Sequence, residues 1–190
     1  NAVVRDASGN GYDASTYGAT SQQSTPIIGK MGQAFNLQTN VHLFTLYALG
    51  PQDSSTSFSW SLWTKSYDNT STPNAVILGY RIGSQNNWTK LTPSSFEYGS
   101  GSLIPYSIPL NKWVHIVIVK NKTKFSYYVN GELYNEMDNV YTTIGYGNLF
   151  IGGDSNYPGD GTYQGAVDDV RVYDRALSQD EISELYRMGK

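Results

Sequence analysis

The sequence predicts an all-β fold, an antiparallel β-sandwich with one short C-terminal helix. Three observations lead there. Apolar residues recur with the period of two that turns one strand face to a core and the other to water. Asn130-Gly131 stands between two such runs, and this pair suits a type I′ hairpin turn because both central positions need positive φ. Turn residues separate the runs at short, fairly regular intervals, the layout of a sandwich rather than of alternating β and α units.

Taken in chain order, short strands are expected at Ala34–Leu37, Val76–Tyr80 and Ser95–Tyr98. Phe58, Trp60 and Leu62 alternate with Ser57, Ser59 and Ser61, so the serines are expected in water. Trp113 to Val119 is almost continuously apolar and β-branched, which predicts a central strand buried on both faces. Phe125–Val129 and Glu132–Tyr134 form the arms of the Asn130-Gly131 hairpin. Leu149–Ile151 ends in Gly152-Gly153, and Val167–Tyr173 is a late strand. Strict alternation there puts Asp168 on the apolar face with Val170 and Val172, and Asp169, Arg171 and Tyr173 on the other. Ser178 and Glu181 fit a capping box, with Leu177 and Ile182 as its hydrophobic staple. Ile182, Leu185 and Tyr186 then form a narrow stripe for docking on the sandwich. No linker divides the chain, so residues 1–190 are expected to form one domain.

Composition removes several functions. The 13 Lys and Arg against 16 Asp and Glu give a net charge of -3, and no basic cluster marks a nucleic-acid binder. No apolar run approaches the roughly 20 residues that span a bilayer, so membrane insertion is not expected. Cysteine is absent, which excludes disulfides and thiol catalysis. The start at Asn1, without a basic-then-apolar leader, suggests an excised domain or mature fragment. Asn69, Asn87 and Asn121 open formal glycosylation sequons.

Five segments, in order, carry a resemblance. They are Asp6-Ala7-Ser8-Gly9-Asn10-Gly11, Gly29–Asn36, Phe58–Lys65, Trp113-Val114-His115 followed by Val129-Asn130-Gly131-Glu132, and Gly165–Ser178. Together they resemble the laminin-G-like jelly-roll domains of the concanavalin A-like lectin/glucanase superfamily. Leu37 departs from the pattern where an aromatic often sits. The resemblance implies two antiparallel sheets packed face to face, with the N- and C-terminal strands as neighbours. It also implies a secreted or cell-surface protein.

Calcium takes six to eight hard oxygens. Asp6 offers a carboxylate, and the turn through Ser8 and Asn10 can curl carbonyls toward the same point. Asp168 would add a second carboxylate if the terminal strands are adjacent, as the resemblance implies. Asp6, Ser8, Asn10 and Asp168 are therefore the expected ligands of one structural calcium that ties the two ends together. The plainer alternative is an Asx-turn at Asp6 and a hydrogen-bonded Asp168.

Catalysis has little support. Most glycoside hydrolases need two carboxyls at a defined separation, and Glu136-Met137-Asp138 lacks the third acid of the superfamily's glucanase strand. His115 lies within the apolar Trp113 strand and reads as a packed core histidine. Sugar binding has more. Such sites pair an aromatic face with a few polar side chains. Trp88 lies within Ser84–Lys90, a polar stretch with no strand alternation that reads as a loop, and Tyr157 lies beside Asp154 and Asn156. These four residues are the expected ligand-binding set. Tyr67, Tyr106 and Tyr146 are further loop aromatics, whereas Trp60, Trp63 and Trp113 belong to strand patterns. The expected function is thus non-catalytic binding of a glycan or surface glycoconjugate, or adhesion, within a chain that carries other domains. A spacer contacting proteins and a glycan-active hydrolase are the alternatives.

Overall fold

The computed structural model describes residues 3–17, 26–37, 41–48, 55–69, 74–81, 88–99, 102–138, 147–153 and 162–190. One antiparallel sheet of eight strands holds β1 (Val3–Val4), β2 (Ala14–Tyr17), β5 (His42–Ala48), β7 (Leu78–Arg81), β8 (Trp88–Leu91), β9 (Ser95–Tyr98), β10 (Ser102–Pro105) and β14 (Asn148–Ile151). The other, of seven, holds β3 (Pro26–Ile28), β4 (Gln33–Leu37), β6 (Phe58–Ser66), β11 (Trp113–Asn121), β12 (Lys124–Val129), β13 (Glu132–Asp138) and β15 (Gly165–Tyr173). The eight strands run in the order β1-β2-β5-β14-β7-β8-β9-β10 and the seven in the order β13-β12-β11-β6-β15-β4-β3. Helix α1 (Gln179–Met188) follows the last strand.

Aromatic side chains join the two layers. Trp60 of β6 meets Tyr80 of β7 edge-on at 5.8 Å, and Phe125 of β12 meets Phe96 and Tyr98 of β9 at 5.3 and 4.5 Å. At one edge the sandwich is closed by Tyr134 of β13, whose hydroxyl donates to the Pro105 carbonyl of β10. The Asn130-Gly131 turn forms as expected, with φ of 52° and 85°.

Three expectations are corrected. Ser59 and Ser61 are fully buried, not in water. Their face is covered by α1 and the segment leading to it, where Val117 and Val119 pack with Leu177, Ile182 and Leu185. Ser59 Oγ donates to the Arg175 carbonyl and accepts from the Leu177 amide. Second, the terminal strands are not neighbours: β1 pairs with β2 in one sheet, and β15 with β4 and β6 in the other. Third, Asp168 does not share a face with Val170 and Val172. A register shift between Asp168 and Arg171, with Asp169 at φ 48°, inserts a bulge. One extra residue reverses which face later side chains occupy. Val167, Val170 and Val172 therefore all pack on the core, while Asp168 pairs in register with Trp63 on the outer face.

Candidate functional site

The outer face of the eight-stranded sheet is built by pairing register. Leu78, Leu91, Phe96, Ile104, Leu149 and Leu43 turn inward to the core, so their alternate neighbours turn outward. Those neighbours form one row across seven strands: Ser15, Phe44, Phe150, Gly79, Lys90, Glu97 and Leu103. Trp88 lies on the same face, two residues from Lys90 and opposite Arg81.

Within this row a polar group is assembled around Trp88. Lys90 Nζ lies 3.5 Å from Glu97 Oε2 and 5.7 Å from the centre of a Trp88 ring. Ser95 Oγ donates to the other Glu97 oxygen at 3.1 Å. The Lys90 and Glu97 side chains are only 7% and 19% exposed. Burying a charge is costly without a partner, and here cation and carboxylate compensate each other across one hairpin. That hairpin turns at Thr92, whose hydroxyl accepts from the Ser94 and Ser95 amides. Gly79 makes the close approach possible. A Cβ there would come within 2.8 Å of the Thr89 carbonyl and 2.9 Å of Lys90 Cβ.

Trp88 therefore opens a strand and is half-buried, where a loop residue was expected. Asp154, Asn156 and Tyr157 lie outside the described residues, as does Tyr146. The described chain of β14 ends at Gly153, beside His42, and Tyr163 N donates to the Gly152 carbonyl. Trp88 is level with Asn148, at the other end of β14. Lys90, Glu97 and Gly79 were missed by sequence reasoning. The signal was present in the outward alternation of Trp88-Thr89-Lys90-Leu91 and Ser95-Phe96-Glu97-Tyr98, once Leu91 and Phe96 are placed inside.

The expected calcium ligands divide between the two sheets. Asp6 lies in the turn between β1 and β2. It accepts from the Ser8 amide, the Ser8 hydroxyl and the Tyr12 amide. These donors hold its carboxyl below the usual range, the Ser8 hydroxyl most of all. Ser8 Oγ accepts in turn from the Asn10 side chain. Asp168 instead sits under the β3–β4 turn. Its Oδ2 accepts from the Lys30 and Met31 amides at 2.6 and 2.8 Å, and its Oδ1 from the Asp169 amide at 2.8 Å. Asp6 and Asp168 are thus held in different turns, and both carboxylates are already engaged by N–H or O–H donors. Among the described residues, no group of three or more acidic or histidine side chains is placed to hold a metal ion.

His115 is buried, with Nε2 3.0 Å from Ser61 Oγ and its ring against Trp63 and Tyr186. Burial, reinforced by the Arg171 charge, pushes its pKa down to about 4. Asn69 spends its side-chain amide on the Ile108 carbonyl, whereas Asn121 is exposed at the β11–β12 turn.

A sequence profile of the concanavalin A-like lectin/glucanases superfamily matches residues 39–183. No curated protein matches the chain. Several solved structures share its fold. Domain 4 of an extracellular GH43 arabinanase from Geobacillus stearothermophilus, determined in complex with arabinotriose, superposes with a TM-score of 0.75 at 20% identity, covering 95% of this chain and 91% of that one. The binding domain of Paraclostridial mosquitocidal protein 1 gives 0.65 at 16% identity, over 96% of this chain and 48% of that one. A structure of botulinum neurotoxin type C, whose cell entry depends on two ganglioside molecules, gives 0.69 at 16% identity, over 98% and 48%. The chain therefore spans about half of each toxin structure. At these identities the likeness shows a shared fold.

Proposed function

Since the chain belongs to the concanavalin A-like lectin/glucanases superfamily, we propose that it is a non-catalytic carbohydrate-binding module of a secreted or cell-surface protein. The observation that carries this reading is the Trp88–Lys90–Glu97 group on the outer face of the eight-stranded sheet. An indole offers an apolar surface to the C–H face of a sugar ring. A buried ammonium donates and a carboxylate accepts beside it, the small number of placed polar groups that orients a ligand. The arabinanase domain bound to arabinotriose and the ganglioside-dependent toxin support the reading by fold. Glu97 is the single carboxylate in the described outer row, so that row lacks the acid pair that most glycoside hydrolases use. Titration of the chain with arabinotriose and a panel of plant and animal oligosaccharides, followed by backbone NMR shifts, tests the proposal. Shifts are expected to centre on Trp88, Lys90 and Glu97. A panel without any binder would overturn it.

A further inference from the structure

We propose that the glycan-binding face extends over the β10 edge to Tyr134 and so reads a chain of several sugars, an inference that rests on the glycan-binding reading. Exposure along the outer row points there. Phe150, Gly79 and Lys90 are buried, Glu97 is half-buried, and Leu103 is 54% exposed. Lys90 and Glu97 are therefore reached from the β10 side. Leu103 stands opposite Glu97, and Pro105 opposite Ser95, whose hydroxyl donates to Glu97. An apolar rim thus borders the acceptor group, one strand spacing of about 4.8 Å away.

β10 is the last strand of its sheet, and β13 the last of the other. The two edges meet where the Tyr134 hydroxyl donates to the Pro105 carbonyl at 3.1 Å. Tyr134 gets there by a register shift: Tyr127 pairs with Asn135 and Tyr128 with Leu133, so Tyr134 is the extra residue of β13. Such a bulge re-aims a side chain, and here it delivers a ring to the edge between the sheets. Tyr106 and Tyr127 brace that ring at 5.0 and 5.9 Å, tilted by 73° and 65°, while Tyr134 stays 49% exposed. Closing the sandwich uses only the buried half of this tyrosine. The exposed half, with Leu103 and Pro105, continues the Trp88–Glu97 group as apolar surface beside polar tips. That combination matches the C–H faces and hydroxyls of successive sugars.

The test measures affinity against chain length by calorimetry. The probes are arabinobiose, arabinotriose and arabinohexaose, the matching cello-oligosaccharides, and shorter and longer forms of any other oligosaccharide that the panel finds to bind. In a series that binds, affinity should rise about tenfold from disaccharide to hexasaccharide, the worth of one added aromatic contact. Tyr134→Ala and Leu103→Ser should each remove most of that rise. Tyr134→Phe, which keeps the ring and gives up the bond to Pro105, should retain it. Leu103→Ser decides alone if Tyr134→Ala folds poorly. A lower melting temperature in Tyr134→Ala with the rise intact would assign the ring to closing the sandwich and overturn the inference. So would an affinity already complete at the disaccharide. In either case, binding that still shifts the Trp88 and Glu97 resonances leaves the glycan-binding reading standing. Binding at no chain length would overturn both.

Discussion

Asp168 and His115 show how single residues take their role from what surrounds them. Asp168 accepts three backbone amides and so holds the β3–β4 turn against β15. Gly29 makes room for it, since a Cβ there would overlap the Asp168 carboxylate. Asp168→Ala should therefore cost about 2–4 kcal/mol in urea denaturation, through buried donors left without an acceptor. Melting with calcium and with a chelator tests the expected ion: a rise with calcium that Asp6→Ala abolishes supports it, and a melting temperature that neither moves counts against it. His115 stays neutral in the fold, with its pKa lowered from 6.5 to about 4. The unfolded chain binds the proton more readily, so this contribution is complete above about pH 6.5 and lost as pH falls toward 4. The loss amounts to about 3 kcal/mol. Denaturation midpoints across that window should fall, and His115→Gln should flatten the fall. Sequence reading reached the buried histidine, because its strand is apolar throughout. It missed the position of Asp168, because the bulge at Asp169 leaves no mark in the alternation of Val167 to Tyr173.

At the level of elements, α1 was readable because its signals are local. Ser178 Oγ accepts from the Glu181 amide, and Glu181 accepts from the Ser178 amide. Glu181 also takes two bonds from Arg175, which hold its carboxyl down to about 2. Ser178→Ala should lower stability by about 1 kcal/mol, measured as a shift in the urea midpoint, with Ser178→Asp close to wild type. The burial of Ser59 and Ser61 was not readable in this way. It depends on where the helix returns, and a strand pattern does not encode what later covers it. The β7–β8 pairing has the same character. Gly79 reads as an interruption of an apolar strand, yet its missing side chain is what lets Lys90 lie beside it. Gly79→Ala should cost about 1–3 kcal/mol through overpacking and should displace Lys90, seen as weakened glycan binding in the folded fraction.

For the molecule as a whole, the two outer faces have different fates. The middle of the seven-stranded sheet's outer face docks α1, through Val117 and Val119 and the stack of Trp63, His115 and Tyr186. That of the eight-stranded sheet carries an ion pair and a half-buried tryptophan that the core does not use. The family fold was legible from motifs, since Gly165–Ser178 and its partners fall in strands, turns and a cap that impose those residue types. Of the proposed group only Trp88 was legible, because Lys90 and Glu97 become a pair through registry between strands. The most direct test is the affinity of wild type and Trp88→Ala for the tightest-binding oligosaccharide of the panel, with thermal denaturation of both. The function proposed for this face predicts at least a tenfold loss for Trp88→Ala in a chain that remains folded. An affinity unchanged by the substitution would contradict it.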